Sequence, residues 1–324
     1  MPQVLTQRSV EAETTLSSGN RCIGCGGDQS REFLVAPDRF YSRSTQYRLV
    51  QCLSCSLVWL ADPPQTGEMG QHYGAGYDRF IRKATEVDAE EHWAGALATV
   101  LRYKQTGALL DLGCGAGSFM KCLPTADWQL YGIEMSAESA RRARRDTGAS
   151  VFTGDILDAP LPAGMFDAIT CFHVFEHLYS PREVMAKVFT WLKPGGVFCV
   201  HVPNIDAAEA KLLRSYWYGL ELPRHLYHFS PSSLRRLGLG GGLTEVSLKT
   251  RRVSFLEYSI RYIADDLTKR VGIVRPSLAS AGNPTLAWRL LRKGFRLTAL
   301  PLVNSILALS GSGTIIEAVF RKPE

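Results

Sequence analysis

From residue 108 onward, short apolar runs alternate with stretches whose apolar positions recur every three or four residues. That alternation predicts parallel strands joined by helices, a doubly wound α/β sheet. Ala108–Leu110, Gln129–Ile133, Val151–Phe152, Phe166–Phe172 and Val197–Val200 predict the first five strands. Helices are predicted over 117–123, 136–146 and 181–192. Thr244–Arg252 and Thr314–Phe320 predict a closing antiparallel pair, which brings the sheet to seven strands. Upstream, Trp93, Leu97, Val100 and Leu101 form the apolar stripe of a helix over 86–104.

Polar and glycine positions then gather at the strand ends, where open α/β sheets bind ligands. Leu110-Asp-Leu-Gly-Cys-Gly-Ala-Gly117 sets Asp111 and the glycines Gly113, Gly115 and Gly117 directly after the first strand. Without a Cβ, such a turn can be tight and its backbone can lie against a ligand. A helix beginning near Ser118 would point its N–H groups back into it. Glu134 closes the second strand 23 residues after Asp111, placed to accept hydrogen bonds from ribose hydroxyls. Asp155, after the third strand, suits an adenine amino group, with Ile156 packing on the ring. His173, His177 and His201 follow the fourth and fifth strands. Ala116 and Ser118 depart from the Gly-x-Gly-x-x-Gly spacing of nicotinamide-binding turns, which sets a dehydrogenase aside.

Two cysteine pairs stand ahead of this region. Cys22 and Cys25 form one Cys-x2-Cys knuckle, Cys52 and Cys55 a second, with 26 residues between. Two such knuckles supply the four thiolates of a closed, structural Zn2+ site, and a module of about 40 residues with little core would need one. The expectation is a zinc ribbon over 21–60. Cys114, Cys122, Cys171 and Cys199 fall in apolar patterns and read as small buried residues.

Together these motifs resemble class I S-adenosylmethionine-dependent methyltransferases. The carriers are the turn through Gly117, Glu134, Gly154-Asp155-Ile156, Phe166-Asp167 with Glu176-His177-Leu178, and Leu192-Lys-Pro-Gly-Gly196, in that order. The resemblance implies a Rossmann-like methyltransferase sheet that binds S-adenosyl-L-methionine. It implies that the three glycines approach the methionine part and that Glu134 holds the ribose, with Asp111 and Met135 among the cofactor-binding residues. Asp155 and Ile156 would hold the adenine, with His173 completing the cofactor set. Glu221-Leu-Pro-Arg-His225-Leu-Tyr-His228-Phe-Ser further resembles zinc-module methyltransferases, among them sugar C-methyltransferases, which carry Glu before the histidine. Here that position is Arg224. His225 is the first candidate for a general base and His177 the second, since a neutral imidazole can take a proton as the methyl arrives.

Composition adds limits. The chain is 45% hydrophobic and 21% charged, ordinary for a globular protein, and its +6 charge permits an anionic substrate without demanding nucleic acid. Residues 1–20 are polar and lack the apolar core of a signal peptide, so they read as a flexible tail of a cytoplasmic protein. Residues 61–107 link ribbon to core; within them Tyr73 and Tyr77 read either as a cofactor lid or as packing. The core is expected over 108–252 and 311–324, interrupted by a helical insert at 253–310. Residues 249–296 hold eleven Lys or Arg against three Asp or Glu, followed by the apolar run Leu297–Leu309. That pattern suits a substrate cap first, peripheral membrane contact through 285–310 second, and packing between subunits third. The expected acceptor is a small molecule, a sugar or a lipid-linked metabolite, with no nucleic acid partner. An RNA methyltransferase and a non-catalytic S-adenosylmethionine-binding scaffold are the alternatives.

Overall fold

A computed structural model describes residues 15–17, 21–74, 76–77, 89–124, 126–272, 277–279, 293–294, 298, 301, 303, 305, 307 and 311–324. Strands β1 (Thr15–Ser17), β2 (Gln29–Pro37), β3 (Gln46–Cys52) and β4 (Val58–Leu60) open the chain. A one-turn helix α1 (Thr66–Met69) and helix α2 (Ala89–Tyr103) follow. The core then runs β5 (Gly107–Leu112), β6 (Trp128–Glu134), α3 (Ala137–Thr147), β7 (Ser150–Thr153), β8 (Phe166–Phe172), α4 (Pro181–Trp191) and β9 (Leu192–Pro203). It closes with α5 (Ala208–Leu213), β10 (Tyr227–His228), α6 (Pro231–Gly240), β11 (Thr244–Arg251), α7 (Leu256–Arg270) and β12 (Ile315–Arg321).

Seven strands form one mixed sheet in the order β11-β12-β9-β8-β5-β6-β7, with helices on its flanks. The pairs from β7 to β9 are parallel, and β12 runs antiparallel between β9 and β11. This is the Rossmann-like methyltransferase arrangement expected from the sequence. Its central strands are buried on both faces: Leu109, Leu110, Leu112, Ile169, Cys171, Phe198 and Val200 are all in the core. Such burial explains why they read as near-continuous apolar runs rather than as an alternation.

Ser136 caps α3 by accepting the Ser139 N–H, and Gly148 ends it in the left-handed conformation. The helix predicted over 117–123 is instead a short 3-10 turn, Met120–Cys122. Gly117 stands at φ +79°, outside helical geometry, and Pro124 blocks extension. Too few residues remain between them for an α-helix. The motif Leu192-Lys-Pro-Gly-Gly196 is continuous with β9.

The cysteine-rich strands make a second sheet in the order β1-β2-β3-β4-β10. Its last strand is not local: Tyr227 and His228, from the far side of the core, pair with Trp59 and Val58. The two units also share apolar packing, since Cys22, Val50, Cys52, Leu57 and Trp59 belong to the cluster containing Leu110, Phe198 and Phe229. Within the stretch read as a tail, Thr15–Ser17 pairs with β2 as an edge strand; the other residues of 1–20 lie outside the described residues. The described part of the insert is chiefly α7, and most of 285–310 lies outside the described residues. Among the described residues, no helix is long and apolar enough to cross a membrane.

Candidate active site

At the carboxyl ends of β5 and β6, the Glu134 carboxylate accepts the Gly115 N–H at 2.9 Å and the Ser136 N–H at 2.7 Å. The acid closing one strand is thereby bound to the glycine turn closing its neighbour. A Cβ at Gly113 would lie 2.4 Å from Val174 Cγ2, and one at Gly117 would lie 2.8 Å from Thr147 Cγ2. These two glycines are required by packing. A Cβ at Gly115 would meet nothing within 4 Å, so this residue turns its bare backbone to open space. Met135, 68% exposed, stands beside Glu134 as an uncovered apolar side chain. Asp155 accepts the Leu157 N–H at 2.8 Å and caps the turn that buries Ile156. Open backbone, an acid and exposed or capped apolar groups thus line one edge of the sheet, a donor set that fits a nucleoside-bearing cofactor.

Asp111 lies under this turn and accepts the Thr170 hydroxyl at 2.7 Å. Burial pushes its carboxyl up to about 7, with the Glu134 charge adding to the rise and the Thr170 bond opposing it.

A second cluster lies after β8. His173, at φ +57°, leads into the 3-10 turn Phe175–His177. Glu176 is 1% exposed, and both its carboxylate oxygens lack a hydrogen-bond partner. Its neighbours are His173 Nδ1 at 3.5 Å and His225 Nε2 at 4.0 Å. The His225 ring stands 4.6 Å from the His177 ring, nearly perpendicular to it. His225 Nδ1 lies 2.9 Å from the Gly219 carbonyl; His177 Nδ1 lies 3.0 Å from the Arg224 carbonyl and 2.9 Å from the Tyr73 hydroxyl. Carbonyls only accept, so both Nδ1 atoms carry the proton and both Nε2 atoms present lone pairs. Burial lowers His225 to about 3 and His177 to about 4, keeping both imidazoles neutral near pH 7. The sequence offers His225 and His177 as alternative bases and gives Glu176 only as part of the motif Glu176-His177-Leu178; the fold brings the three together. Tyr73 is placed against His177, and Tyr77 packs edge-on against Tyr73 and Phe40. His201 is buried against Phe172 and lowered to about 3 by that burial. His228 is buried 3.1 Å from the Leu220 carbonyl.

Arg224 stands directly before His225, the position at which the sequence resemblance to sugar C-methyltransferases calls for an acid. Its guanidinium is fully buried, 3.5 Å from Glu221, 3.8 Å from Asp38 and 5.0 Å from the Tyr77 ring centre. Asp38 belongs to the loop after β2, so this arginine fastens the cysteine-rich sheet to the segment carrying His225.

In that sheet the four sulfurs converge: Cys22 and Cys55 are 3.4 Å apart, Cys25 and Cys52 3.5 Å apart, and all four lie within 4.8 Å of one another. Gly24 N–H and Gly27 N–H each point at a sulfur at 3.4 Å. A tetrahedral Zn2+ with sulfur bonds near 2.3 Å has edges of about 3.8 Å, so this set fits the ion. A cleft of about 290 Å³ opens elsewhere, lined by Phe33, Ile205, Lys211 and Arg214 among others, and none of the residues above faces it.

The Methyltransferase domain family matches residues 86–248, just over half of the chain. The chain belongs to that family. The match takes in the methyltransferase strands from β5 to most of β11, with the glycine turn, Glu134 and the Glu176 cluster inside it. Among curated proteins, similarity is found to a ubiquinone biosynthesis O-methyltransferase of Burkholderia pseudomallei (strain 1710b), 28% identical over 153 residues, 44% of this chain and 66% of that protein. An uncharacterized 37.1 kDa protein in transposon TN4556 of Streptomyces fradiae is 28% identical over 149 residues, 42% of this chain and 43% of that one. The chain thus spans less than two thirds of the length of either relative. Among solved structures, a SAM-dependent methyltransferase from Archaeoglobus fulgidus shares the fold, with a TM-score of 0.50 at 15% identity, over 76% of this chain and 100% of that one.

Proposed function

We propose that this protein is an S-adenosylmethionine-dependent methyltransferase that acts on a small-molecule, sugar or lipid-linked acceptor in a biosynthetic pathway. The observation that carries the reading is the Glu134 carboxylate bound to Gly115 N–H at the joined ends of β5 and β6. In this reading Asp111, Gly113, Gly115 and Gly117 frame the methionine part, Glu134 and Met135 the ribose, Asp155 and Ile156 the adenine, and His173 the reacting end. S-adenosylmethionine supplies an activated methyl group. The chain's own residues align the acceptor and exclude water, which is most of what the transfer demands. His225, buried, and His177, half-buried, are both neutral imidazoles and are the candidates to meet the acceptor in this reading. The cysteine-rich sheet, with Cys22, Cys25, Cys52 and Cys55 around a structural Zn2+, supports the segment carrying His225 through β10 and Arg224.

The O-methyltransferase named among the relatives makes an oxygen nucleophile the first choice for this chain. Methyl-labelled S-adenosylmethionine should be incubated with a panel of nucleotide sugars, phenols and lipid-linked acceptors, with label transfer and S-adenosylhomocysteine as readouts. Transfer to one class, abolished by His225→Ala with cofactor affinity intact, is expected. Tight cofactor binding with no transfer to any acceptor would favour the scaffold instead.

A further inference from the structure

The arrangement around Glu176 is unbalanced as the side chains stand. His225 Nε2, a lone-pair atom, faces Glu176 Oε1 at 4.0 Å and Glu221 Oε2 at 3.9 Å. Glu176 is buried with neither carboxylate oxygen hydrogen-bonded, and among the described residues the basic groups within 4.0 Å of it are the imidazoles of His173 and His225. Burying a carboxylate without a cation or a full set of donors is costly. Arg224, the nearby cation, directs its charge to Glu221 and Asp38. Meanwhile each imidazole has its Nδ1 fixed by a backbone carbonyl. That outer bond is the one metal-ligating histidines make, because it sets the tautomer and aims Nε2 at the ion.

We propose that Glu176, His177 and His225 form a binding site for a divalent transition-metal ion of the zinc type, distinct from the four-cysteine site. One donor atom from each of the three lies within 4.8 Å of the others. Two imidazoles and one carboxylate are borderline donors that suit Zn2+, Co2+ or Fe2+ over Mg2+ or Ca2+. Three protein ligands leave coordination positions open, as in sites where the ion holds water or a substrate oxygen. His173, 3.5 Å from Glu176, precedes Val174, which packs against Gly113 of the proposed cofactor turn. An oxygen of the acceptor held on the ion would lie between the two sites; that clause rests on the methyl-transfer reading, whereas metal binding does not. In this account His225 acts on the acceptor through the ion instead of taking a proton itself.

The test is metal content of the full-length protein after equilibration in a Zn2+ buffer, compared with Glu176→Gln and His225→Ala. Wild type is expected to hold one equivalent more than either variant, whatever the cysteine site holds, and equal content in all three would overturn the proposal. If a variant fails to melt cooperatively, Co2+ added to wild type decides, after dialysis against a chelator mild enough to empty a three-ligand site while the four-cysteine site keeps its zinc. Visible bands of nitrogen and oxygen ligation, without near-ultraviolet thiolate bands, support the site; no bands, or thiolate bands alone, overturn it. S-adenosylmethionine titration of the same samples separates the two readings. Cofactor binding without the extra equivalent removes the metal site alone, and the extra equivalent without cofactor binding removes the methyltransferase reading alone.

Discussion

Arg224 and Asp38 meet at 3.8 Å with neither side chain exposed, which joins the loop after β2 to the segment that carries His225. Phe40, Tyr41 and Tyr77 lie near the guanidinium and exclude water from the pair. Burial opposes the charge on Arg224, but Glu221 and Asp38 more than offset this and hold its pKa above the usual value. Arg224→Met would leave two acids without their buried cation, a change that costs about 3–5 kcal/mol in comparable pairs. Chemical denaturation should show a loss of that order. A loss under about 1 kcal/mol, the range of exposed pairs, would mean the contact is incidental.

The glycine turn separates packing from binding. Gly113→Ala drives a methyl into Val174 at a positive φ and should lower stability by roughly 1–3 kcal/mol. Gly115→Ala meets nothing within 4 Å, so only its φ of +53° is strained and the melting temperature should change less. Cofactor affinity should order the other way for a given loss of stability, with Gly115→Ala weakening it by about tenfold or more. Calorimetry with S-adenosylhomocysteine alongside thermal melts checks both. Full affinity in Gly115→Ala would show that the open side of the turn is not the ligand side.

Much of this was legible in the chain. Strand identity followed from apolar runs such as Phe166–Phe172, because residues buried on both faces leave little choice of period. The glycine turn and Glu134 carried their own spacing. The partnership of Glu176 with His225 was not legible, since it depends on how 221–229 folds back across the sheet end. Nor was β10: two residues, Tyr227 and His228, have no periodicity to read, and their pairing with β4 is tertiary. Arg224 read as a departure from a motif, whereas its role is set by Asp38, far away in sequence.

Asp111 yields a pH prediction. Its carboxyl is raised by burial from an ordinary 3.8 to about 7 in the folded state. Between those values the folded chain binds more protons than the unfolded one, so stability from this group is greatest at low pH and falls as pH rises through about 7. Asn cannot ionise. The melting temperature of Asp111→Asn, relative to wild type, should therefore climb from pH 5 to pH 8, by an amount on the order of a few kcal/mol in free energy. A difference that stays flat across that range would rule out the raised carboxyl.

Because the cysteine-rich sheet shares a core with the methyltransferase sheet, its metal should matter to the whole chain. Cys22→Ser should release zinc and shift the single main unfolding transition downward, since comparable sites contribute on the order of 10 kcal/mol to small modules. Differential scanning calorimetry reads this directly. A separate early transition with an unmoved main one would show instead that the ribbon folds as an independent unit.

The central claim is the cofactor site at Glu134, and calorimetric titration with S-adenosylmethionine tests it most directly. Wild type should bind with a Kd on the order of micromolar, and Glu134→Ala should weaken binding by about tenfold or more. Unchanged affinity in the variant would contradict the role given to Glu134. No binding by wild type would contradict the account of the site as a whole.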